Sequence, residues 1–272
     1  MTPFSNSSPY SVSLKAVILA AGASTRLHPL TETVPKCLLR IGGKTLLEQT
    51  IENILDAGIK EIAIVIGYKG EMIREFVKQR FPHELIRFIL NPNFAETNNA
   101  YSLLLARRFL ENKEGKVSAG LLLLDSDILF SKRLLPFFLK QPIQGFPGPA
   151  VMVPAQGLIA ARVSGVHDEE EIRVKVEGNN IIQMIGKHVA LLETYGESIG
   201  IELFSSESTA HLFAILEQRV RSGIGRTEFY EASFQEMIMK GIKLQAVDVS
   251  MFPSIEIDTE EDFHRAERMR LS

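Results

Sequence analysis

The sequence predicts an α/β fold, a three-layer sandwich on a mostly parallel, mixed sheet. Apolar strand-like runs alternate with amphipathic helical segments through the first half of the chain. One of those runs, Gly120–Leu124, is apolar throughout, as a central strand covered on both faces by helices must be. The first run ends in Ala20-Ala21-Gly22, the small-residue turn with which a parallel sheet commonly opens.

Length and composition agree with this class. With 272 residues, and domains commonly of about 150, the chain holds one or two domains. Its 45% apolar and 23% charged residues, 12 Pro and 19 Gly are those of a globular protein and exclude disordered and collagen-like classes. Thirty basic against 33 acidic residues leave a net charge of −3, which gives no global electrostatic case for nucleic acid or an anionic membrane. Cys37 is the one cysteine, so no intramolecular disulfide forms and a reducing, cytoplasmic location is expected. No long uncharged apolar segment predicts stable membrane insertion. The Ser- and Pro-containing Met1–Ser13 reads as a tail rather than a secretory signal.

Taken in order, Lys15–Leu19 is the first strand. Thr45–Gly58 is a helix, with Leu47, Ile51, Ile54 and Leu55 on one face, Thr45 and Glu48 as a capping pair, and Gly58 as its stop. A strand at Glu61–Gly67, a helix at Gly70–Arg80, a strand at Leu85–Leu90 and a helix at Asn99–Leu110 continue the alternation, while Leu27–Val34 is an excursion rather than an element. Asp125-Ser126-Asp127 closes the central strand. Pro and Gly concentrate over Pro142–Pro154, which reads as a hinge. Beyond it, short runs at Ala150–Val153, Leu158–Val163, Ile172–Val176, Ile181–Ile185 and Ile199–Phe204 predict an antiparallel or mixed extension of the first sheet. Helices at Glu207–Arg221 and Phe229–Lys240, a strand at Leu244–Val249 and a helix at Glu260–Met269 complete the chain, with Asp258 in a loop just before the last helix. The organisation expected is a flexible tail at 1–14, a nucleotide-binding lobe at 15–145 and an acceptor-binding lobe at 146–272, forming one continuous domain.

The loop Ala20 to Leu27 offers small residues, successive backbone amides and one cation just beyond a strand, which suits a phosphate; it also suits a plain βα connection. Lys36 can reach the same volume. Asp125, Asp127 and Asp258 stand at strand ends or in loops beyond them, where open α/β sheets bind ligands. Two such carboxylates meeting across the fold form a hard oxygen set suited to Mg²⁺; loop capping is the alternative role. Zinc clusters, P-loops and nucleophile elbows are absent from the sequence.

The stretch Lys15 to Leu27, continued by Pro29-Leu30-Thr31 and Pro35-Lys36-Cys37-Leu38-Leu39, resembles the signature of the nucleoside-triphosphate transferase superfamily, which makes nucleoside-diphosphate sugars and alcohols. Ile41 to Leu47, the Gly67-Tyr68 turn, Leu124-Asp125-Ser126-Asp127 and Ile255 to Asp262 extend the likeness. Within the superfamily, Asn91-Pro92-Asn93-Phe94-Ala95 and Thr97-Asn98-Asn99-Ala100-Tyr101-Ser102-Leu103 resemble the bacterial phosphocholine, phosphonate and inositol-1-phosphate cytidylyltransferases. The resemblance implies a nucleotide-diphospho-sugar transferase type of fold and a Mg²⁺-dependent transfer of CMP from CTP to a small phosphorylated or phosphonylated alcohol. It implies nucleotide contacts at Leu19, Ala20, Ala21, Gly22, Ala23, Ser24, Thr25, Arg26, Lys36, Asn98, Asn99 and Ser126. Catalytic roles are implied for Arg26, Lys36, Asp127 and Lys187, acceptor contacts for Tyr101, Lys187, Glu197 and Glu202, and Mg²⁺ ligation for Asp127 and Asp258. Asp125 is expected to matter less than Asp127. A sugar-1-phosphate enzyme using UTP or dTTP, or a non-catalytic nucleotide-binding regulatory module, are the alternatives; acceptor identity and oligomeric state stay open. Ser24 stands where many members carry a second glycine, and the expectation is that this position needs no positive φ, leaving the Ser24 hydroxyl to face phosphate.

Overall fold

The computed structural model describes residues 13–82, 85–144, 155–163 and 171–271. Most of the expected tail, the expected hinge beyond residue 144 and the strand expected at Ala150–Val153 lie outside the described residues.

In chain order the strands are β1 (Leu14–Ala20), β2 (Arg40–Ile41), β3 (Lys44–Thr45), β4 (Ile62–Ile66), β5 (Ile86–Leu90), β6 (Gly120–Asp125), β7 (Ile128–Phe130), β8 (Gly157–Arg162), β9 (Arg173–Glu177), β10 (Ile181–Gly186), β11 (Gly196–Phe204), β12 (Leu244–Asp248) and β13 (Ser254–Glu256). The helices are α1 (Leu30–Thr33), α2 (Leu46–Asp56), α3 (Gly70–Arg80), α4 (Asn99–Leu105), α5 (Arg107–Leu110), α6 (Leu134–Phe138), α7 (Ser206–Arg221), α8 (Glu231–Met239) and α9 (Glu260–Arg268). Thr45 and Glu48 form the expected reciprocal cap on α2. The helix expected over Asn99–Leu110 is divided at Ala106 into α4 and α5, and the supposed excursion Leu27–Val34 contains α1.

Among the described residues the main sheet runs β5-β4-β1-β6-β11-β8-β12-β10-β9. Strands β5, β4, β1 and β6 are mutually parallel, as are β8 and β12; every other pairing in this sheet is antiparallel. The mostly parallel sheet expected from the sequence is therefore corrected to a mixed one. Its second half turns back through connections too short for a parallel crossover, as between β9 and β10, where Glu177 pairs with Ile181. An additional β11–β9 pairing closes this half on itself as a small barrel.

The period of two along each strand divides the core into faces. Ala16, Ile18 and Ala20 of β1 join Leu122 and Leu124 of β6 against Ile51 and Ile54 of α2 and Ile73 and Val77 of α3. Val17, Leu19, Leu121 and Leu123 point the other way, into a cluster with Leu103, Leu212, Phe213 and Phe234 from α4, α7 and α8. The sheet is thus the middle of three layers. No helix among the described residues is long and apolar enough to cross a membrane.

Candidate active site

The loop that leaves the carboxyl end of β1 is shaped by two unusual contacts. Ser24 adopts φ 49° and ψ 52°, so the expectation of an ordinary backbone there is corrected: this position does take the left-handed conformation. A side chain in that region costs roughly 1–2 kcal/mol. Thr31 Oγ1 and Leu27 N donate to the Ser24 carbonyl at 2.9 and 3.2 Å, which holds the turn in place. Tyr68 N donates to the Ala21 carbonyl at 3.0 Å, and the close approach depends on Gly67. A Cβ at Gly67 would lie 2.7 Å from that carbonyl oxygen and 2.6 Å from Phe94 Cβ.

The acidic pole is built by a two-stranded ribbon outside the main sheet. Strands β7 and β13 pair antiparallel, Ile128 opposite Glu256, so the end of one meets the start of the other. Ile257 N then donates to the Asp127 carbonyl at 3.0 Å. Two residues distant by 131 positions are thereby brought together, and Lys36 Nζ bridges them, 2.8 Å from Asp127 Oδ2 and 2.7 Å from Asp258 Oδ1. Arg26 Nη2 donates to Asp258 Oδ2 at 2.8 Å.

Burial opposes the charge on Lys36, but Asp127 and Asp258 outweigh it and leave the ammonium pKa raised. Burial also opposes the charge on Asp258, yet Lys36 and Arg26 hold its carboxyl below the usual value. Glu256, which the sequence did not single out, joins this group: oxygens of Asp127, Glu256 and Asp258 lie within 4.8 Å of one another. Burial, then Asp127 and Asp258, push the Glu256 pKa well up. Asp127 Oδ1 is buried with no hydrogen-bond partner among the described residues. Hard oxygen ligands, an unused buried lone pair and crowded like charge fit a divalent cation such as Mg²⁺.

These residues open on a cleft of about 350 Å³. Of the sequence-predicted positions, Leu19, Ala20, Ala21, Gly22, Ser24, Arg26, Lys36, Asn98, Asn99, Ser126, Asp127, Lys187 and Asp258 line it, whereas Ala23, Thr25, Tyr101, Glu197 and Glu202 do not. Tyr101 packs its ring 5.2 Å from the Arg226 guanidinium, and Glu197 is buried on β11 beside Arg162 at 3.3 Å. Glu202 lies wholly buried in β11, accepting from Ser198 Oγ at 3.3 Å.

The amides of Asn98 and Asn99 serve the frame as well as the cleft. Asn98 Oδ1 accepts from Asn99 N at 2.8 Å, and Asn99 Oδ1 accepts from Tyr230 N at 2.8 Å, tying α4 to the start of α8. Buried Asn91 donates to Thr97 Oγ1 and Ser102 Oγ at 3.1 and 3.0 Å and orders the loop before α4. Tyr230 Oη donates to Asp125 Oδ2 at 2.8 Å. Burial, with Asp127 and Glu231, raises the Asp125 pKa despite that bond. Glu231 also lines the cleft and was missed in sequence, where it reads as an ordinary helix-start acid; burial pushes its carboxyl up to about 7, with Lys187 pulling the other way.

Residues 15–145 match the family model described as Nucleotidyl transferase. The bifunctional IPC transferase and DIPP synthase of Aquifex aeolicus (strain VF5) is 29% identical over 256 residues, 93% of this chain and 51% of that protein. The choline-phosphate cytidylyltransferase of Streptococcus pneumoniae (strain ATCC BAA-255 / R6) is 40% identical over 99 residues, 36% of this chain and 42% of that protein. The chain thus spans about half the length, or less, of these two relatives. Among solved structures, the inositol-1-phosphate CTP transferase from T. maritima superposes with a TM-score of 0.71 at 19% identity, covering 94% of this chain and 96% of that one. The CTP:phosphocholine cytidylyltransferase from Streptococcus pneumoniae superposes with a TM-score of 0.67 at 22% identity, covering 94% and 99%. Both structures share the fold.

Proposed function

We propose that this chain, which belongs through residues 15–145 to the nucleotidyltransferase superfamily, transfers CMP from CTP to a small phosphorylated or phosphonylated alcohol and releases pyrophosphate. The observation that carries the reading is the meeting of Lys36 and Arg26 with Asp127 and Asp258, at 2.7 to 2.8 Å, beside the small-residue loop after β1. Relatives named for cytidylyl transfer to choline phosphate and to 2-aminoethylphosphonate support the choice of donor.

In this reading a phosphate or phosphonate oxygen of the acceptor attacks the α-phosphorus of CTP. The bond from that phosphorus to the bridging oxygen breaks, and pyrophosphate leaves with the electron pair. The nucleophile is already anionic, so alignment and charge compensation carry the catalysis rather than a strong base. Lys36 and Arg26 bind the triphosphate, Lys187 the acceptor phosphate, and the amides around Ala21 and Gly22 hold the nucleoside. Asp127 and Asp258, with Glu256, would hold Mg²⁺, which when bound supplies compensation for charge on the phosphate oxygens. The 15–145 segment is the nucleotide lobe and 146–272 the acceptor lobe. The single buried cysteine supports a cytoplasmic setting.

Donor choice follows from a fixed acceptor. The Ala21 carbonyl, held by Tyr68 N, keeps a second lone pair for the exocyclic amino group of cytosine, whereas uracil would present a repelling carbonyl. An unsatisfied buried group costs about 1–3 kcal/mol, or roughly 5- to 150-fold in kcat/KM. A pyrophosphate-release screen of CTP, UTP, dTTP, ATP and GTP, crossed with phosphocholine, inositol-1-phosphate, 2-aminoethylphosphonate and hexose-1-phosphates, tests both halves. CTP is expected to lead; preference for UTP would overturn the donor, and no pyrophosphate with any pair would overturn the activity.

A further inference from the structure

The segment joining α7 to α8, residues 222–230, belongs to no strand of the sheet and contains one short 3-10 turn, Ile224–Arg226. Its own side chains bury little: Ile224 and Phe229 are exposed, and between 222 and 229 only Gly225 is buried. A stretch with so few buried apolar contacts opens locally at low cost unless polar contacts hold it. Arg219, in the last turn of α7, supplies that hold. Its Nε donates to Glu228 Oε2 at 3.0 Å and its Nη2 to Glu228 Oε1 at 2.7 Å, while Nη1 donates to Glu236 Oε2 of α8 at 2.8 Å. One partly buried guanidinium thereby ties α7, the connecting strap and α8 together, with the forked geometry that makes an arginine–carboxylate pair strong and directional. The strap also lies directly on α7 at this point, where a Cβ on Gly225 would come 2.8 Å from the Arg219 carbonyl carbon.

The opposite side of the strap grips the start of α4. The Arg226 carbonyl accepts from Asn98 N at 2.8 Å and the Thr227 carbonyl from Asn98 Nδ2 at 3.3 Å. Tyr230 N donates to Asn99 Oδ1 at 2.8 Å, and the Arg226 guanidinium stands 5.2 Å from the Tyr101 ring centroid. The strap thus fixes which way both amide groups point, and Asn98 and Asn99 line the cleft. Arg219 and Glu228 do not: they line a second cavity, of about 850 Å³, so they reach the cleft only through what the strap holds.

Resting on the nucleotidyl-transfer reading, we infer that Arg219 is a positioning residue for the transfer: its fork on Glu228 and its bond to Glu236 clamp the 222–230 strap, and the strap in turn holds Asn98 and Asn99 in place at the cleft. Without the clamp every group that lines the cleft is still present, but Asn98 and Asn99 lose their fixed orientation, and a small misplacement of such groups is enough to slow a reaction that depends on alignment.

The test has a structural and a kinetic arm. In Arg219→Met, amide hydrogen exchange at Asn98 and Tyr230 is expected to speed at least about tenfold, while the amides of Leu122 and Leu123 in β6 keep their protection. Pyrophosphate release is measured with CTP and the acceptor that leads the screen described above. Arg219→Met is expected to lower kcat/KM for CTP about tenfold in the wild type but less than about threefold in Asn98→Ala, where the group it positions is already gone. A role confined to stability would instead expose the β6 amides and give the same loss in both backgrounds. Equal losses in the two backgrounds, or unchanged exchange at Asn98 and Tyr230, would overturn the inference and leave nucleotidyl transfer standing. Should Arg219→Met fail to fold, Glu228→Gln, which keeps the shape of the side chain and removes its charge, takes its place: the same two amides are expected to exchange faster, and no change in them would overturn the inference. Absence of pyrophosphate from the wild type with every acceptor would reject nucleotidyl transfer and, with it, the effect of Arg219 on turnover, whereas the exchange measurement would still decide whether Arg219 holds the strap.

Discussion

Replacing Lys36 by Met keeps most of the stem and removes the ammonium that bridges Asp127 and Asp258. The Lys36 side chain is 7% exposed, while its partners retain 24% and 27% of their surfaces in water. Breaking a fully buried ion pair costs about 3–5 kcal/mol and an exposed one about 0–1. With partly wetted acids, and Arg26 still bonded to Asp258, a loss of about 2 kcal/mol is expected. At roughly 2–4 °C per kcal/mol for a chain of this size, the melting temperature in chelator should fall by about 4–8 °C. Mg²⁺ should then restore more of it in the variant than it adds to the wild type, because Asp127, Glu256 and Asp258 are left without their internal cation. In kinetics, kcat/KM should drop about 10²- to 10³-fold. Thermal melts with and without Mg²⁺, alongside pyrophosphate release, make the measurement. Identical melting of variant and wild type in chelator, or equal Mg²⁺ shifts, would refute the charge-bridge reasoning.

Gly67→Ala drives a Cβ into Phe94 and the Ala21 carbonyl, so stability should fall by about 1–3 kcal/mol in urea unfolding, with CTP affinity falling too. Thr45→Ala removes one half of the α2 cap and should cost about 1 kcal/mol without altering relative kcat/KM among donors, as chemical denaturation and the donor screen would show. Glu231 gives a pH signature. A carboxyl raised from 4.5 to about 7 by burial binds its proton more tightly folded than unfolded, so its contribution is fully present below pH 4.5 and is lost as pH rises through about 7. The span amounts to at most about 3 kcal/mol, and Glu231→Gln should flatten that decline in denaturation curves taken between pH 5 and about 8.

The parts of the fold visible in sequence are those whose cause is local. The reciprocal Thr45 and Glu48 cap marks the start of α2, and a left-handed Gly58 lies just past its end. The α3 span Gly70–Arg80 follows from its apolar period. Strand direction is not local: the apolar run of β6 reads the same beside parallel β1 and antiparallel β11. At the site, Lys36, Asp127 and Asp258 were legible through position and motif. Glu256 was not, because it sits in a three-residue strand whose partner, β7, is 128 positions earlier at Glu256 opposite Ile128, and the intervening sequence holds no sign of the pairing. Ser24 shows the opposite limit. Its left-handed backbone is imposed by contacts from Thr31 and Leu27, which outweigh the preference of the residue itself.

The β7–β13 ribbon also sets when, during synthesis, the acidic pole can be completed. A growing chain that has reached Asp248 contains every strand of the main sheet, the loop after β1, Lys36 and Asp127. It still lacks Glu256 and Asp258, and with them the partner strand that packs Ile255 and Ile257 against Leu27, Leu39 and Leu129. A chain made only as far as Asp248 therefore lacks two of the three carboxylates of the acidic pole, which is completed when residues 254–258 have been added.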